Sequence, residues 1–223
     1  MNLVDILFPK FCLGCRMKNY FLCPACLGKV RLVRQICVEC EKPSVDGFTH
    51  IKCKRPWGLD GAVSIWEYEK VIRQSILKLK YNFAYEIADE LAVYTVHYLK
   101  TNVHALPSNT ILVPVPLYMR RERWRGFNQS ERIGKIIAEK MGWNFSPEQV
   151  VRKSSTVPQV ELRGKQRKMN LKDVFALNSS KKLNGASIVV FDDVMTTGTT
   201  LKEVGRVLKR GGAGEVWGLT LSR

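Results

Sequence analysis

Downstream of residue 58 the chain alternates between two hydrophobic patterns. One is the short apolar run: "GAVSIWEY" (61–68), "TILVPVP" (110–116), "ASIVVF" (186–191) and "EVWGLTL" (215–221). The first alternates in polarity, the second is punctuated by prolines, and all have the length of strands. The other pattern is helical. Residues 70–80 and 86–100 predict helices, the second with Ile87, Leu91 and Tyr94 at helical spacing. "SERIGKIIAEKM" (130–141) predicts another, with Ser130 as N-cap and Ile133, Ile136 and Ile137 on one face. "TLKEVGRVLKRGG" (200–212) predicts a fourth, with Leu201, Val204, Val207 and Leu208 inward and Gly211-Gly212 as the stop. Apolar strands alternating with amphipathic helices predict an α/β fold, a parallel sheet covered by helices on both faces. Trp57, Trp66 and Trp217 are expected to be packing residues.

Cysteine usage divides the chain. All seven cysteines fall within the first 53 residues, which predicts a small module over 1–57 and a larger domain over 58–223. The 223 residues suffice for one sizeable core plus such an appendage. No apolar run reaches the roughly 18 residues a membrane-spanning helix needs. The start, "MNLVDILFPKFC", has an acid and a proline and no basic leader, so no signal peptide and a cytoplasmic location are expected. Thirty-six basic against twenty acidic residues give a net charge of +16. Two zinc ions on seven thiolates would lower it only to about +13. So basic a chain suits a polyanionic partner, although solubility alone also accounts for the charge.

The cysteines come in C-x2-C pairs: Cys12/Cys15, Cys23/Cys26 and Cys37/Cys40, followed by His50/Cys53. Each pair places two ligands on one side of a tight loop, half of a tetrahedral zinc site. Four pairs make two sites. A sequential grouping gives Cys12, Cys15, Cys23 and Cys26 in one, and Cys37, Cys40, His50 and Cys53 in the other; spacing also permits a cross-braced grouping. An odd cysteine count in a chain without a secretion signal argues against disulfides. Four protein ligands leave no open position, so both zinc ions are expected to be structural. A module of this size with few large apolar groups needs such staples.

The run "VVFDDVMTTGTTL" (189–201) ends a buried strand in two acids and a threonine-rich turn. In parallel sheets ligands sit beyond the carboxyl ends of the strands. The turn Thr196, Thr197, Gly198, Thr199 and Thr200 leads into a helix, where backbone amides and the helix dipole favour a phosphate. Gly198 permits close backbone approach. Asp192 and Asp193 can accept hydrogen bonds from vicinal hydroxyls. A ribose 5-phosphate fits, with Mg²⁺ neutralising any pyrophosphate on C1.

This motif resembles that of the type I phosphoribosyltransferases, whose substrate is phosphoribosyl pyrophosphate (PRPP). "VPVP" (113–116) lies where that family's pyrophosphate loop follows a strand. With the cysteine pairs, "LKYNF", "VPVPLYMRRERWRGFNQS" and "PQVELRGKQRKMNLKDVF", essentially the whole chain resembles the ComF family of competence proteins: a double zinc ribbon before a phosphoribosyltransferase-like domain. The resemblance implies PRPP binding by Asp192, Asp193 and Thr196–Thr200, and a role with single-stranded DNA and other DNA-uptake proteins. It leaves catalysis open. Purine-salvage relatives have an aspartate two residues before the motif glycine, where this chain has Thr196, so the motif supplies no general base. His50 replaces the cysteine expected in an all-cysteine ribbon.

Two segments concentrate positive charge. One holds Arg120, Arg121, Arg123, Arg125 and Arg132, with Trp124 and Phe127 between them; the other, 152–172, includes Arg163 and Arg167 four residues apart. Three readings stay open: a solvated basic face, closure over PRPP pyrophosphate by guanidinium groups, and a track for single-stranded DNA with an aromatic stacking platform.

Overall fold

The computed structural model describes residues 9–81, 85–117, 126–153, 174–178 and 182–223. Its centre is a five-stranded, wholly parallel sheet in the order β1-β7-β6-β2-β3. The strands are β1 (Gly61–Trp66), β2 (Thr110–Pro114), β3 (Asn144–Phe145), β6 (Ser187–Val194) and β7 (Val216–Ser222). A separate antiparallel pair joins β4 (Val150–Arg152) to β5 (Phe175–Leu177). The helices are α1 (Pro24–Leu27), α2 (Lys70–Tyr81), α3 (Tyr85–Asn102), α4 (Gln129–Met141) and α5 (Thr199–Arg210).

Strand alternation sorts the side chains into two cores. Val189 and Phe191 face α2, α3 and α4; Ile188 and Val190 face α5 and the β4–β5 pair. Gly134 lets α4 lie close on the sheet, because a methyl group there would sit 2.8 Å from Leu112. The predicted α/β architecture is therefore the one observed.

β1 departs from its sequence pattern. It ends at Trp66, and all six of its residues are buried although it is an edge strand. The cysteine-rich segment covers that edge. Leu32 bridges antiparallel to Trp66 and Phe48 to Gly61. Between them the side chain of Gln35 stands in for a peptide unit: its Nε2 donates to Ser64 O (2.7 Å), and its Oε1 accepts from Ser64 N (3.1 Å). The module is thus hydrogen-bonded into the sheet, and the open edge that invites intermolecular pairing is closed.

The cysteine loops also grip the helices. Glu90 of α3 accepts from the backbone amides of Phe21 (3.0 Å) and Leu22 (2.6 Å), and Tyr94 donates to Leu22 O. Trp66 and Trp217 are buried as expected. Trp57 is not: it is 48% exposed, because it follows the second cysteine loop outside either core.

Candidate functional site

The carboxyl ends of β6 and β2 lie side by side, and α4 starts next to them. Val115 N donates to Phe191 O (2.9 Å), continuing the ladder past Pro114. Asn128, not Ser130, caps α4: its Oδ1 accepts from the amides of Ser130 (3.0 Å) and Glu131 (3.4 Å). Its Nδ2 donates to Val115 O (3.1 Å), tying the helix start to the segment after β2. Both residue types cap helices well; Asn128 does so here because Ser130 is committed elsewhere.

That commitment is to the paired acids. Asp192 and Asp193 belong to the carboxyl end of strand β6 rather than to the loop after it. Ser130 Oγ donates to Asp192 Oδ1 (3.1 Å), and Gln129 Nε2 donates to Asp193 Oδ2 (3.0 Å). The backbone amide of Asp193 also reaches Asp192 Oδ1 (2.9 Å). Asp193 is only 5% exposed, and the Gln129 amide meets the hydrogen-bonding demand of a buried carboxylate oxygen. Sequence reasoning missed Gln129 and Ser130. The signal was present: "NQS" is a polar triplet directly ahead of an apolar helical stripe, and all three residues are buried.

Beyond Val194 the chain turns through Thr196 and Thr197, both exposed, to Gly198, the N-cap of α5. Gly198 has φ +70°, the left-handed region that glycine enters without strain. The amides of Thr199, Thr200 and Leu201 precede the first helical hydrogen bond, from Lys202 N to Gly198 O. The hydroxyls of Thr197 and Thr199 meet at 2.8 Å across the turn. The structure thus brings Asp192, Asp193 and Thr196–Thr200 together at one end of the sheet. Arg120, Arg121, Arg123, Trp124, Arg125, Arg163 and Arg167 lie outside the described residues. Phe127 is half-buried against Tyr85, ring centroids 4.6 Å apart, which makes it an internal anchor.

A cleft of about 700 Å³ opens beside the turn, past the carboxyl ends of β1, β6 and β7. Arg31, Arg34, Tyr68, Met195, Thr196 and Arg223 line it. Its charges are largely matched: Arg31 pairs with Glu67 (2.7 Å), and Arg223 reaches Glu41 (3.6 Å).

The two cysteine clusters form in sequential order. Cys12, Cys15, Cys23 and Cys26 gather in one, and Cys37, Cys40, His50 and Cys53 in the other, with all ligand atoms of each set within 4.8 Å of one another. Such sets of four soft and borderline donors fit tetrahedral zinc. Backbone amides orient the sulfurs: Gly14 N to Cys12 Sγ (3.4 Å), Cys26 N to Cys23 Sγ (3.4 Å) and His50 N to Cys37 Sγ (3.5 Å). His50 turns Nδ1 toward Cys40 Sγ (3.4 Å), while Nε2 lies 3.1 Å from Pro43 O and takes the proton as its donor, an outer contact that fixes the ring. Burial pushes the Cys26 thiol up to about 12, and its three cysteine neighbours add to the rise. Burial opposes ionisation at Cys12 too, but backbone amides of Cys23, Cys15 and Gly14 outweigh it and bring this thiol down to about 6. A divalent cation bound there would favour the thiolate form of all four cysteines.

The second cluster abuts the threonine turn. Val38 packs on Gly198, and Glu39 pairs with Lys202 of α5 at 3.6 Å.

The family model of the phosphoribosyl transferase domain matches residues 81–221, a span that takes in β2, the head of α4, the acids of β6 and the turn into α5. The class is therefore a phosphoribosyltransferase-type domain carrying a cysteine-rich module. Within that class the chain belongs to the ComF family. It is 31% identical over 225 residues to the DNA utilization protein YhgH of Escherichia coli K12, covering 94% of this chain and 96% of that one. It is 29% identical to competence protein F of Haemophilus influenzae, covering 93% and 89%. To competence protein ComFC of Bacillus subtilis it is 25% identical, covering 96% and 84%. Among the described residues no helix is long and apolar enough to cross a membrane.

Proposed function

We propose that the chain is a PRPP-binding, zinc-stabilised cytoplasmic protein that handles single-stranded DNA during uptake. The observation that carries the PRPP reading is the pair Asp192 and Asp193, held by Ser130 and Gln129 beside a glycine-capped helix N-terminus. In this reading the 5-phosphate sits on the amides and hydroxyls of Thr196–Thr200, where the α5 dipole stabilises it. The ribose 2- and 3-hydroxyls donate to the two carboxylates. Mg²⁺, when bound with PRPP, neutralises pyrophosphate charge. Arg163 and Arg167, or the Arg120–Arg125 segment, supply further cations to pyrophosphate or nucleic acid. The zinc ions act structurally, cross-linking loops that hold few apolar residues. The DNA part is supported by the names of the relatives, a DNA utilization protein and two competence proteins, and by the +16 charge.

Calorimetric titration of PRPP and Mg²⁺ into zinc-loaded protein tests the first part. Binding is expected for the wild type and not for Asp192→Asn/Asp193→Asn; a wild type that binds no PRPP overturns it. For the second part, the wild type should bind labelled oligothymidylate, and absence of binding would sink it. The cleft beside Thr196 favours one further reading, transfer of ribose 5-phosphate to an acceptor seated there, since its volume suits a small molecule. Pyrophosphate release on adding an acceptor separates transfer from binding alone.

A further inference from the structure

The second cysteine loop carries a surface that the PRPP site does not use. Val45 is 80% exposed and Ile51 89%, with Phe48 at 44%. Together with Lys42 and Lys52 they line a depression of about 600 Å³. Lys54 and Arg55 stand exposed on its flank. From Lys42 to Leu59 there are four cations and one acid, Asp46. Among the described residues none of the four cations has an ion-pair partner. The neighbouring acids are engaged elsewhere, Glu39 with Lys202 and Glu41 with Arg223.

The platform is rigid. Phe48 stands edge-on to the buried Trp217, ring centroids 4.7 Å apart at 75°, and its backbone bridges to Gly61 of β1. The turn before it needs Gly47, whose φ is +79° and where a methyl group would meet the carbonyl of Ala62. The cluster of Cys37, Cys40, His50 and Cys53 lies on its other side, and a zinc ion held there would pin it.

We infer that this face of the second metal module is a single-stranded nucleic-acid interface, with bases on Val45, Phe48 and Ile51 and backbone phosphates on Lys42, Lys52, Lys54 and Arg55. Sequence-tolerant strand binding combines apolar or aromatic platforms with unneutralised cations. The inference rests on the DNA part of the function proposed above and assigns the strand to residues 42–55 instead of to the arginines of 120–125.

The test is fluorescence anisotropy of labelled oligothymidylate with full-length, zinc-loaded protein across a salt series. Lys42→Gln/Lys52→Gln/Lys54→Gln should weaken binding at least about tenfold, and the slope of log K against log salt should fall by about 2, from three lost phosphate contacts. Val45→Ser/Ile51→Ser should weaken binding with the slope unchanged. Both variants must retain two zinc ions and the wild-type melting temperature. Wild-type affinity and slope in both variants would overturn the inference. If an Arg120→Gln/Arg121→Gln/Arg123→Gln/Arg125→Gln variant then loses binding, the DNA reading stands and the interface lies there. If the wild type binds no oligonucleotide, the DNA reading itself fails; binding to phosphatidylglycerol vesicles instead would assign the face to lipid.

Discussion

Val38 of the second cysteine loop sits against Gly198 at the head of α5, so that a methyl group added at Gly198 would come within 3.0 Å of Val38 Cγ2. The contact joins the second cysteine cluster to the turn on which the proposed phosphate rests. Gly198 thus meets two constraints at once, a positive φ and a close neighbour.

Gly198→Ala should therefore cost stability and PRPP affinity together. The left-handed backbone alone costs about 1–2 kcal/mol with a Cβ, and the clash adds to it. We expect about a five- to thirtyfold rise in the PRPP dissociation constant, an estimate from the backbone term. Val38→Ala in the same chain should recover the part due to crowding and leave the part due to φ. Calorimetry and denaturant unfolding measure both. An alanine variant with unchanged affinity would place the phosphate elsewhere.

Gln129→Leu tests whether the carboxylates depend on α4. It removes the Nε2 donor from a buried carboxylate while keeping the side-chain volume near constant. The expected stability loss is about 1–3 kcal/mol, the cost of an under-satisfied buried polar group. PRPP binding should weaken as the Asp193 carboxylate loses the contact that orients it. Ser130→Ala should act in the same direction but less, because Asp192 keeps the amide of Asp193. If Gln129→Leu is silent in both assays, the Gln129–Asp193 contact does not support the site.

These contacts mark where the sequence stopped being legible. Helical periodicity and short apolar runs gave the long helices and β1, β2, β6 and β7 but not β3, β4 or β5, and C-x2-C spacing gave the ligand pairs while leaving their grouping open. The acids and the glycine turn were readable because strand, acids and helix are contiguous. Gln129 and Ser130 are more than sixty residues from the acids they serve, and no local pattern encodes that pairing. Ser130 looked like a cap because its hydroxyl directly precedes an apolar stripe, yet its partner is tertiary. Gln35 was silent for the same reason, and the complete burial of β1 depends on it. Trp57 was expected to be packed on residue type alone, and the chain around it leaves it in solvent.

Metal removal should act on the sheet as well as on the module. Ligand sets of this kind bind zinc with free energy that is also folding energy. A strong chelator is expected to release two zinc ions and lower the melting temperature. It should also raise hydrogen exchange in residues 61–66, because the bridges from Leu32 and Phe48 come from segments the clusters hold. With the edge of β1 exposed, concentration-dependent association should follow. Exchange in 61–66 that stays at the holo level after zinc loss would show that the edge is covered independently of metal.

Gln35→Leu isolates the edge from the metal. The variant keeps the clusters and removes the side chain that completes the ladder beside Ser64. Ser64 N and O are then left in a part-buried position without that partner, which costs about 1–3 kcal/mol for an unmet buried group. Zinc content should stay at two per chain. Amide exchange should rise at Ser64 first, while Ile65 O keeps its bond from Val33 N (2.9 Å) and Glu67 N its bond to Arg31 O (2.9 Å). PRPP affinity should change little, since the edge lies across the sheet from the paired acids, with β7 between them. A loss of zinc with the stability would mean that Gln35 serves the cluster fold, whereas a loss of stability at full zinc occupancy assigns it to the sheet.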